Sequence, residues 1–119
     1  EIVAPYGYDV EVVKVNGCLH LKSAVSLVGE ETLLINRSWV DANSFSGLME
    51  FIDIDPGEPY AANALLVGGE LMYPQSFPRT RLRLERSGIE VRVVDVSELQ
   101  KAEGALTCCS LIFTEGRQV

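Results

Sequence analysis

The sequence predicts a mixed α+β fold in which a unit of strand, strand, helix and strand occurs twice. Two hairpin patterns, over residues 24–37 and 63–74, each place β-rich runs on both sides of a glycine-containing turn. Each hairpin is followed, after an intervening segment, by a further strand-like run, at 51–55 and at 89–96. Such runs around short turn sequences are typical of hairpins, and alternating apolar and polar residues are typical of half-buried strands.

The helix of the second unit is predicted within "PRTRLRLERSG". Pro78 stands where the first helical turn tolerates proline, and Gly88 stands where a glycine commonly follows a helix. Leu82 and Leu84 are expected to turn inward, with the arginines on the solvated face. The corresponding segment of the first unit, "SWVDANSFSG", is a weaker helix candidate.

A second short helix is predicted after the last strand. Ser97 and Gln100 have the spacing of a capping box, in which a serine before the helix and a glutamine three residues later satisfy each other's backbone N–H groups. The helix is expected to end at Gly104, where the sequence "GALTCCS" begins.

Three short segments support the repeat in addition to the hairpins. They are "GCLHLKS" (17–23), "GEPYAAN" (57–63) and "GALTCCS" (104–110), and each runs from a glycine to a serine or asparagine across six positions. Each is expected to open the first strand of a unit, which places the units at roughly 17–56, 57–103 and 104–119. The glycine-to-glycine spacings of 40 and 47 residues suggest propeller-like or solenoid assembly.

A closed propeller would bring two chemically important residues together. Equivalent strand starts converge near its axis, so His20 and Cys108 would approach each other although 88 residues separate them in the chain. A cysteine within hydrogen-bond reach of a histidine is the usual arrangement of a thiol nucleophile with its acid–base partner. Histidine is also the side chain whose ordinary pKa lies near neutrality.

The three cysteines leave several interpretations open. Free cysteine is among the most buried residue types, and neighbouring side chains of a strand point to opposite faces, so one of Cys108 and Cys109 can be core while the other faces a cleft. A metal site formed by Cys18, His20, Cys108 and Cys109 would match no common zinc spacing. No metal or other cofactor is therefore expected, and an odd number of cysteines without a secretory signal favours reduced thiols in a cytoplasm.

Composition limits the kinds of partner. The 119-residue chain has a formal net charge of -7, with 47% hydrophobic and 23% charged residues, which is typical of one globular domain. The negative charge disfavours nucleic acid and membrane surfaces, which need clustered lysine and arginine, and is compatible with a small cationic substrate. Because the chain starts at Glu1 and runs into an uncapped apolar stretch, we expect it to be a piece of a longer protein.

With these residues in view, the chain closely resembles the carboxy-terminal part of the dimethylarginine dimethylaminohydrolase family, within the guanidine-modifying (amidinotransferase), or pentein, superfamily. "GCLHLKSAVSLVG" resembles the family's catalytic histidine segment, "VSELQKAEGALTCCSLIF" its terminal nucleophile segment, and "EPYAANALLVGG" matches between them. The resemblance implies that Cys108 is the nucleophile, Cys109 its buried neighbour, and His20 the general acid and base. It implies that the main-chain carbonyl of Ala102 holds the substrate and that Glu103 lies near the pocket.

The resemblance further implies five ββαβ modules around a pseudo-fivefold axis, of which this chain would supply two and a fragment. It implies hydrolysis of N-methylated arginine to citrulline and methylamine through a covalent thiouronium intermediate on Cys108. Carboxylates that grip the guanidinium would come from a missing amino-terminal half or another copy of the chain, so the isolated chain is expected to be weakly active or inactive. An arginine deiminase or amidinotransferase, and a non-catalytic half-domain that needs a partner chain, are the alternatives.

Overall fold

The computed structural model describes residues 4–7, 10–45, 47, 49–102 and 104–113. The strands are β1 (Val25–Leu27), β2 (Thr32–Ile35), β3 (Glu50–Asp53), β4 (Leu65–Val67), β5 (Glu70–Pro74) and β6 (Val91–Val94), and the helices are α1 (Pro78–Arg86) and α2 (Ser97–Lys101). Short 3-10 turns lie at Ala4–Tyr6, Leu21–Ser23 and Ala42–Ser44. Within the described residues, neither helix has the length and apolar character that crossing a bilayer requires.

The strands form two mixed three-stranded sheets that share one order and one set of pairing directions. β2 lies between β1 and β3, antiparallel to β1 and parallel to β3, and β5 lies in the same way between β4 and β6. A parallel pair needs a crossover connection, which the turn Ala42–Ser44 occupies in the first sheet and α1 in the second. The predicted mixed α+β fold, with strand, strand, helical segment and strand in order, is therefore confirmed.

Two apolar clusters hold the sheets together, and β2 contributes to both. Leu34 is fully buried in the cluster that joins the two sheets, where it lies with Tyr73 and Leu84. Its neighbours Leu33 and Ile35 belong to the second cluster, because successive side chains of a strand point to opposite faces. A strand covered on both faces explains why the run "TLLI" shows no alternation of apolar and polar residues.

α1 packs on the second sheet through Thr80 and Leu84, which are both fully buried and lie one helical turn apart. Leu82 lies two residues from each of them, on the opposite side of the helix, and is exposed, so its predicted inward orientation is wrong. The carboxylate of Glu58, in the loop between β3 and β4, accepts hydrogen bonds from the N–H and the hydroxyl of Thr80 at 2.7 and 2.8 Å. It caps a helix whose own N-cap residue, Phe77, makes no side-chain capping bond.

α2 occupies the predicted place but is capped differently. Ser97 is its first helical residue rather than its N-cap, so the predicted capping box of Ser97 and Gln100 does not form. The carboxylate of Asp95 takes the capping role instead, by accepting a hydrogen bond from the Ser97 N–H at 2.9 Å. The helix ends at Lys101, before the predicted end at Gly104.

The third predicted repeat segment differs from the first two. β1 and β4 begin two residues after Ser23 and Asn63, the ends of their segments. Residues 104–113 instead form a turn at 106–109 without an assigned strand, so the expectation that "GALTCCS" opens a strand is wrong for the described residues. The Cys109 N–H donates to the Ala105 carbonyl at 3.1 Å, and this local bond occupies groups that a strand would pair with a neighbour.

Candidate active site

His20 lies just before the first sheet, on a backbone held by local hydrogen bonds. It precedes the 3-10 turn Leu21–Ser23 and has an extended conformation, with φ −122° and ψ 141°. Its carbonyl accepts hydrogen bonds from the Ser23 N–H at 3.0 Å and from the Cys18 thiol at 3.3 Å. Its side chain is exposed, so the imidazole is accessible for proton exchange.

Cys108 lies in a compact turn that exposes its sulfur. Leu106 is buried and anchors the turn. The Ala105 N–H donates to Cys108 Sγ at 3.0 Å, and the thiol also reaches the carbonyl of Ala105 at 3.4 Å. The Ser110 hydroxyl donates to the Leu106 carbonyl and closes the other side of the turn. An accessible sulfur in contact with a backbone donor suits nucleophilic chemistry better than packing.

Both members of the cysteine pair are exposed. The interpretation as core filler, and the burial of Cys109 that the family resemblance implies, do not hold here, because the pair lies in a turn where strand alternation does not apply. The two sulfurs are 3.8 Å apart. The hydrogen bond to Cys108 is the main cause that raises the pKa of the Cys109 thiol, and burial raises the pKa of the Cys18 thiol. At a given pH, Cys109 and Cys18 therefore have a smaller fraction of the reactive thiolate than cysteines with the ordinary thiol pKa.

Asn63 connects the chain around His20 to the chain around Cys108. Its side chain is buried, with 7% of its surface exposed. Its Nδ2 donates to the Lys22 carbonyl at 3.0 Å and to the Thr107 hydroxyl at 2.7 Å, and its Oδ1 accepts from the Thr107 N–H at 3.4 Å. The segments of the two predicted catalytic residues therefore meet at one side chain. Among the described residues, no hydrogen bond joins His20 directly to Cys108.

The two predicted substrate-binding residues follow α2. Ala102 is exposed and is the C-cap residue of that helix, with its N–H bonded to the Leu99 carbonyl at 3.1 Å. Backbone carbonyls at a helix C-terminus lack intrahelical partners and can bind other donors, which is the role that the resemblance implies for Ala102. Glu103 lies outside the described residues.

Two clefts of the described residues lie away from His20 and Cys108. One cleft of about 430 Å³ is lined by residues around Trp39, and another of about 300 Å³ lies between β4 and residues 110–113; neither includes His20 or Cys108. In the same part of the chain no group of three or more histidine, cysteine and acidic side chains is placed to hold a metal ion.

Sequence reasoning missed two parts of this arrangement. The repeat pattern presents Asn63 only as the end of a segment, although a polar residue closing an apolar "YAAN" run is a signal for a buried hydrogen-bonding role. Gly104 was noted as a helix end, but a Cβ there would lie 3.0 Å from both Cys109 Sγ and the Leu99 carbonyl oxygen. The close approach of the cysteine turn to α2 therefore favours glycine, because a Cβ would fit only if its neighbours moved by a few tenths of an ångström.

The sequence of the chain is similar to that of known enzymes. No protein-family model matches the chain. Two curated relatives are both named N(G),N(G)-dimethylarginine dimethylaminohydrolase. The one from Pseudomonas aeruginosa is 34% identical over 112 residues, covering 94% of this chain and 44% of the relative. The one from Streptomyces coelicolor is 35% identical over 111 residues, covering 93% of this chain and 42% of the relative.

Solved structures give the same result for the fold. A histidine-to-glycine variant of a dimethylarginine dimethylaminohydrolase, in an adduct with S-methyl-L-thiocitrulline, matches with a TM-score of 0.81 and 31% identity, over 94% of this chain and 44% of that one. An adduct of such an enzyme with 4-chloro-2-hydroxymethylpyridine matches with a TM-score of 0.78 and 31% identity, over 94% of this chain and 45% of that one. A cysteine-to-serine variant from Pseudomonas aeruginosa, complexed with citrulline, matches with a TM-score of 0.70 and 30% identity, over 87% of this chain and 40% of that one.

The chain is thus a mixed α+β protein whose fold is similar to that of solved hydrolase structures. The resemblance indicated by the sequence motifs is confirmed: the chain is similar, in sequence and in fold, to the carboxy-terminal part of dimethylarginine dimethylaminohydrolases. It spans less than half the length of the relatives that it matches.

Proposed function

We propose that this chain carries the nucleophile and the acid–base residue of a hydrolase of N-methylated arginine, in an active site completed by residues outside it. Cys108 is the nucleophile and His20 the general acid and base. The carbonyl of Ala102 and the side chain of Glu103 contribute to substrate binding. The remaining contacts to the cationic guanidinium come from an amino-terminal half or from another copy of the chain.

The observation that carries this proposal is the shared contact at Asn63. Lys22 lies two residues after His20, and Thr107 immediately precedes Cys108, and both bond to the same buried amide. Two chain segments that are distant in sequence are thereby held side by side, as a thiol nucleophile and its acid–base partner require. Further support comes from the relatives, since the matching structures include a cysteine variant complexed with citrulline and a histidine variant in an adduct with S-methyl-L-thiocitrulline.

The proposed reaction has two steps. In the first, the Cys108 thiolate attacks the guanidinium carbon and forms a C–S bond, while the His20 imidazolium gives its proton to the methylated nitrogen. The C–N bond breaks, methylamine leaves, and a cationic thiouronium remains on the sulfur. Covalent catalysis of this kind divides one difficult displacement into two easier ones.

In the second step His20, now neutral, accepts a proton from water, and the resulting hydroxide adds to the thiouronium carbon. The C–S bond breaks, the electron pair returns to sulfur as the thiolate, and citrulline leaves. Of the two protons of the water molecule, one is now on His20, which is again an imidazolium. The other leaves to solvent, where it protonates the released amine. Histidine suits both steps because its ordinary pKa lets it carry or release a proton near neutral pH. The thiol chemistry also fits a reducing compartment such as the cytoplasm.

The open surroundings of Cys108 and His20 support the proposal that further residues complete the site. A planar guanidinium is bound well by carboxylates through paired hydrogen bonds. Apolar side chains beside the candidate residues are also exposed, with 87% of Leu19, 87% of Leu111 and 78% of Phe113 accessible. Contiguous exposed apolar surface marks a contact with other protein. We propose that these residues face further ββαβ modules of a pentein propeller, with units near 17–56, 57–103 and 104–119.

A chimera tests the proposal most fully. This chain would replace the matching carboxy-terminal part of the Pseudomonas aeruginosa relative, and citrulline release from dimethylarginine would be measured. We expect turnover that falls by at least about a thousandfold in Cys108→Ser and in His20→Ala. Cys109→Ser is the matched control and is expected to keep most of the activity.

A chimera that folds, as judged by its cooperative thermal unfolding, and releases no citrulline would contradict the proposal and favour a non-catalytic half-domain. Release of citrulline from arginine but not from dimethylarginine would favour an arginine deiminase. Transfer of the amidino group to an added amine would favour an amidinotransferase. Equal loss of activity in Cys108→Ser and Cys109→Ser would remove the assignment of the nucleophile.

A further inference from the structure

Asn63 makes contacts whose arrangement goes beyond ordinary packing. It is buried, and its amide group engages two chain segments that are 41 and 44 residues away in sequence. The hydrogen bonds of Asn63 to each of these two segments form one arm, and the two arms differ in chemistry. The arm to Lys22 ends on a backbone carbonyl, which can only accept, whereas the arm to Thr107 combines a side-chain hydroxyl with a backbone N–H.

These contacts need an amide in particular. A carboxylate could still accept from Thr107, but it could not donate to the Lys22 carbonyl and would place two acceptors against each other. An apolar side chain would leave the Lys22 carbonyl without this part-buried donor, and loss of a partner at a part-buried hydrogen bond destabilises the folded state. The residue therefore fixes the separation of the two segments by satisfying both at once.

We propose that Asn63 is a positioning residue that sets the Cys108 turn relative to the His20 segment. This inference rests on the proposed function, because it assigns the link between the two residues that would perform the reaction. Asn63 lies behind the segments and acts through Lys22 and Thr107. Its loss is expected to lower kcat with little change in KM, since misplacement of a catalytic group by about 1 Å lowers a rate by about a hundredfold.

The test removes a hydrogen bond between Asn63 and one segment and measures the effect on the candidate catalytic residue of the other segment. Thr107→Val removes the hydroxyl with little change in shape, and the readout is the proton NMR signal of the His20 imidazole, which is assignable because the chain contains one histidine. Asn63→Asp removes the donor to Lys22, and the readout is the alkylation rate of Cys108 by iodoacetamide, followed site by site by mass spectrometry across pH. Thr107→Ser keeps the hydroxyl and is the matched control.

We expect Thr107→Val to shift the His20 signal. We expect Asn63→Asp to change the Cys108 alkylation rate by about tenfold, and Thr107→Ser to leave both readouts close to the unmodified chain. An unchanged His20 signal in Thr107→Val, together with an unchanged Cys108 rate in Asn63→Asp, would overturn the inference. A change of the His20 signal in Thr107→Ser as large as in Thr107→Val would also overturn it, because loss of the hydroxyl would then not explain the change.

Failure of the proposed function is separable from failure of this inference. If Cys108 in the chimera with the Pseudomonas aeruginosa relative shows no preference for a cationic amidine reagent over iodoacetamide, the guanidine-directed site is contradicted. The His20 signal and the neutral-reagent rate still decide whether Asn63 couples the two segments. If Thr107→Val does not fold, as judged by the fluorescence of Trp39, Thr107→Ala removes the same hydroxyl and the same readouts apply.

Discussion

Gly17 lies directly against the indole ring of Trp39, so closely that a Cβ on Gly17 would be 2.4 Å from Trp39 Nε1. Gly17 also has a positive φ of 75°, a conformation that glycine adopts without steric penalty. The ring of Trp39 packs edge-on against Tyr60, with the ring centroids 5.1 Å apart. The chain that leads to His20 therefore depends on a glycine for two independent reasons.

Gly17→Ala is expected to destabilise the protein more than the same change at a glycine that has only one of these constraints. Gly88 is the matched control, because its φ is 85° and nothing lies within 4 Å of its missing Cβ. Both changes cost about 1–2 kcal/mol of unfolding free energy through backbone strain, and Gly17→Ala is expected to lose about 1–3 kcal/mol more by displacing Trp39. Urea unfolding followed by Trp39 fluorescence measures the difference. Equal losses of unfolding free energy in the two variants would show that the indole ring moves aside without cost.

Glu58→Ala is expected to destabilise α1. The Glu58 carboxylate accepts hydrogen bonds from two groups of Thr80 and from the Arg79 N–H, at 2.7, 2.8 and 3.3 Å, and it places negative charge at the helix N-terminus. We expect a loss of about 1–2 kcal/mol in the free energy of unfolding, similar to removal of an N-cap side chain. Glu58→Gln keeps an acceptor and is expected to lose less. A loss in Glu58→Gln as large as in Glu58→Ala would assign the effect to charge alone.

The thiol of Cys109 is expected to become more reactive when Cys108 is replaced by alanine. Its pKa is raised chiefly by its hydrogen bond to Cys108 and further by desolvation and by charge on Cys108. Removing Cys108 lowers the pKa of Cys109, so its thiolate fraction at about pH 8 rises, and the thiolate is the nucleophilic form. Site-resolved alkylation of Cys108→Ala should show a severalfold faster Cys109 at that pH, with Cys18 unchanged as the internal control. A Cys109 rate that stays the same would contradict the contact between the two sulfurs.

The start of α2 is expected to loosen in acid. The hydrogen bonds from Ser97 are the first cause that lowers the pKa of the Asp95 carboxyl. A group whose pKa is lower in the folded state stabilises that state above its unfolded pKa, about 3.9 for aspartate, and this contribution is lost as the pH falls through the folded pKa. The protection of the amide hydrogens of residues 97–101 against exchange, relative to the intrinsic exchange rate at each pH, should therefore fall below about pH 4. Asp95→Asn keeps an acceptor but does not titrate, so a variant with the same acid response would contradict this explanation.

Much of the fold follows from local sequence. Both hairpins and both parallel strands lie where β-rich runs and glycine turns predict them, because short-range patterns determine these elements. Leu82 was misassigned because a helix of nine residues buries one narrow stripe, and Thr80 with Leu84 already fills it. The capping of both helices came from residues outside the expected N-cap positions, Glu58 and Asp95, which a local capping pattern does not reveal.

Less of the candidate site than of the fold could be predicted from the sequence. The motifs around His20 and Cys108 point to thiol chemistry, but the conformation of the cysteine pair does not follow from them, since an apolar run with two cysteines is equally suitable for a strand. The contacts of Asn63 join residues 41 and 44 positions away, and no periodicity encodes such pairing. The exposure of both sulfurs likewise depends on which other residues pack against residues 104–113.

The most direct test of the central claim is site-resolved alkylation of Cys18, Cys108 and Cys109 in the folded chimera with the Pseudomonas aeruginosa relative, comparing a cationic amidine electrophile with neutral iodoacetamide. We expect Cys108 alone to react much faster with the cationic reagent, because a guanidine-directed site concentrates a planar cation beside its nucleophile. We further expect His20→Ala to abolish that difference. If all three cysteines show the same preference in the folded chimera, or if Cys108 reacts there only after unfolding, the completed site is not directed to guanidines and the assignment of Cys108 and His20 is contradicted.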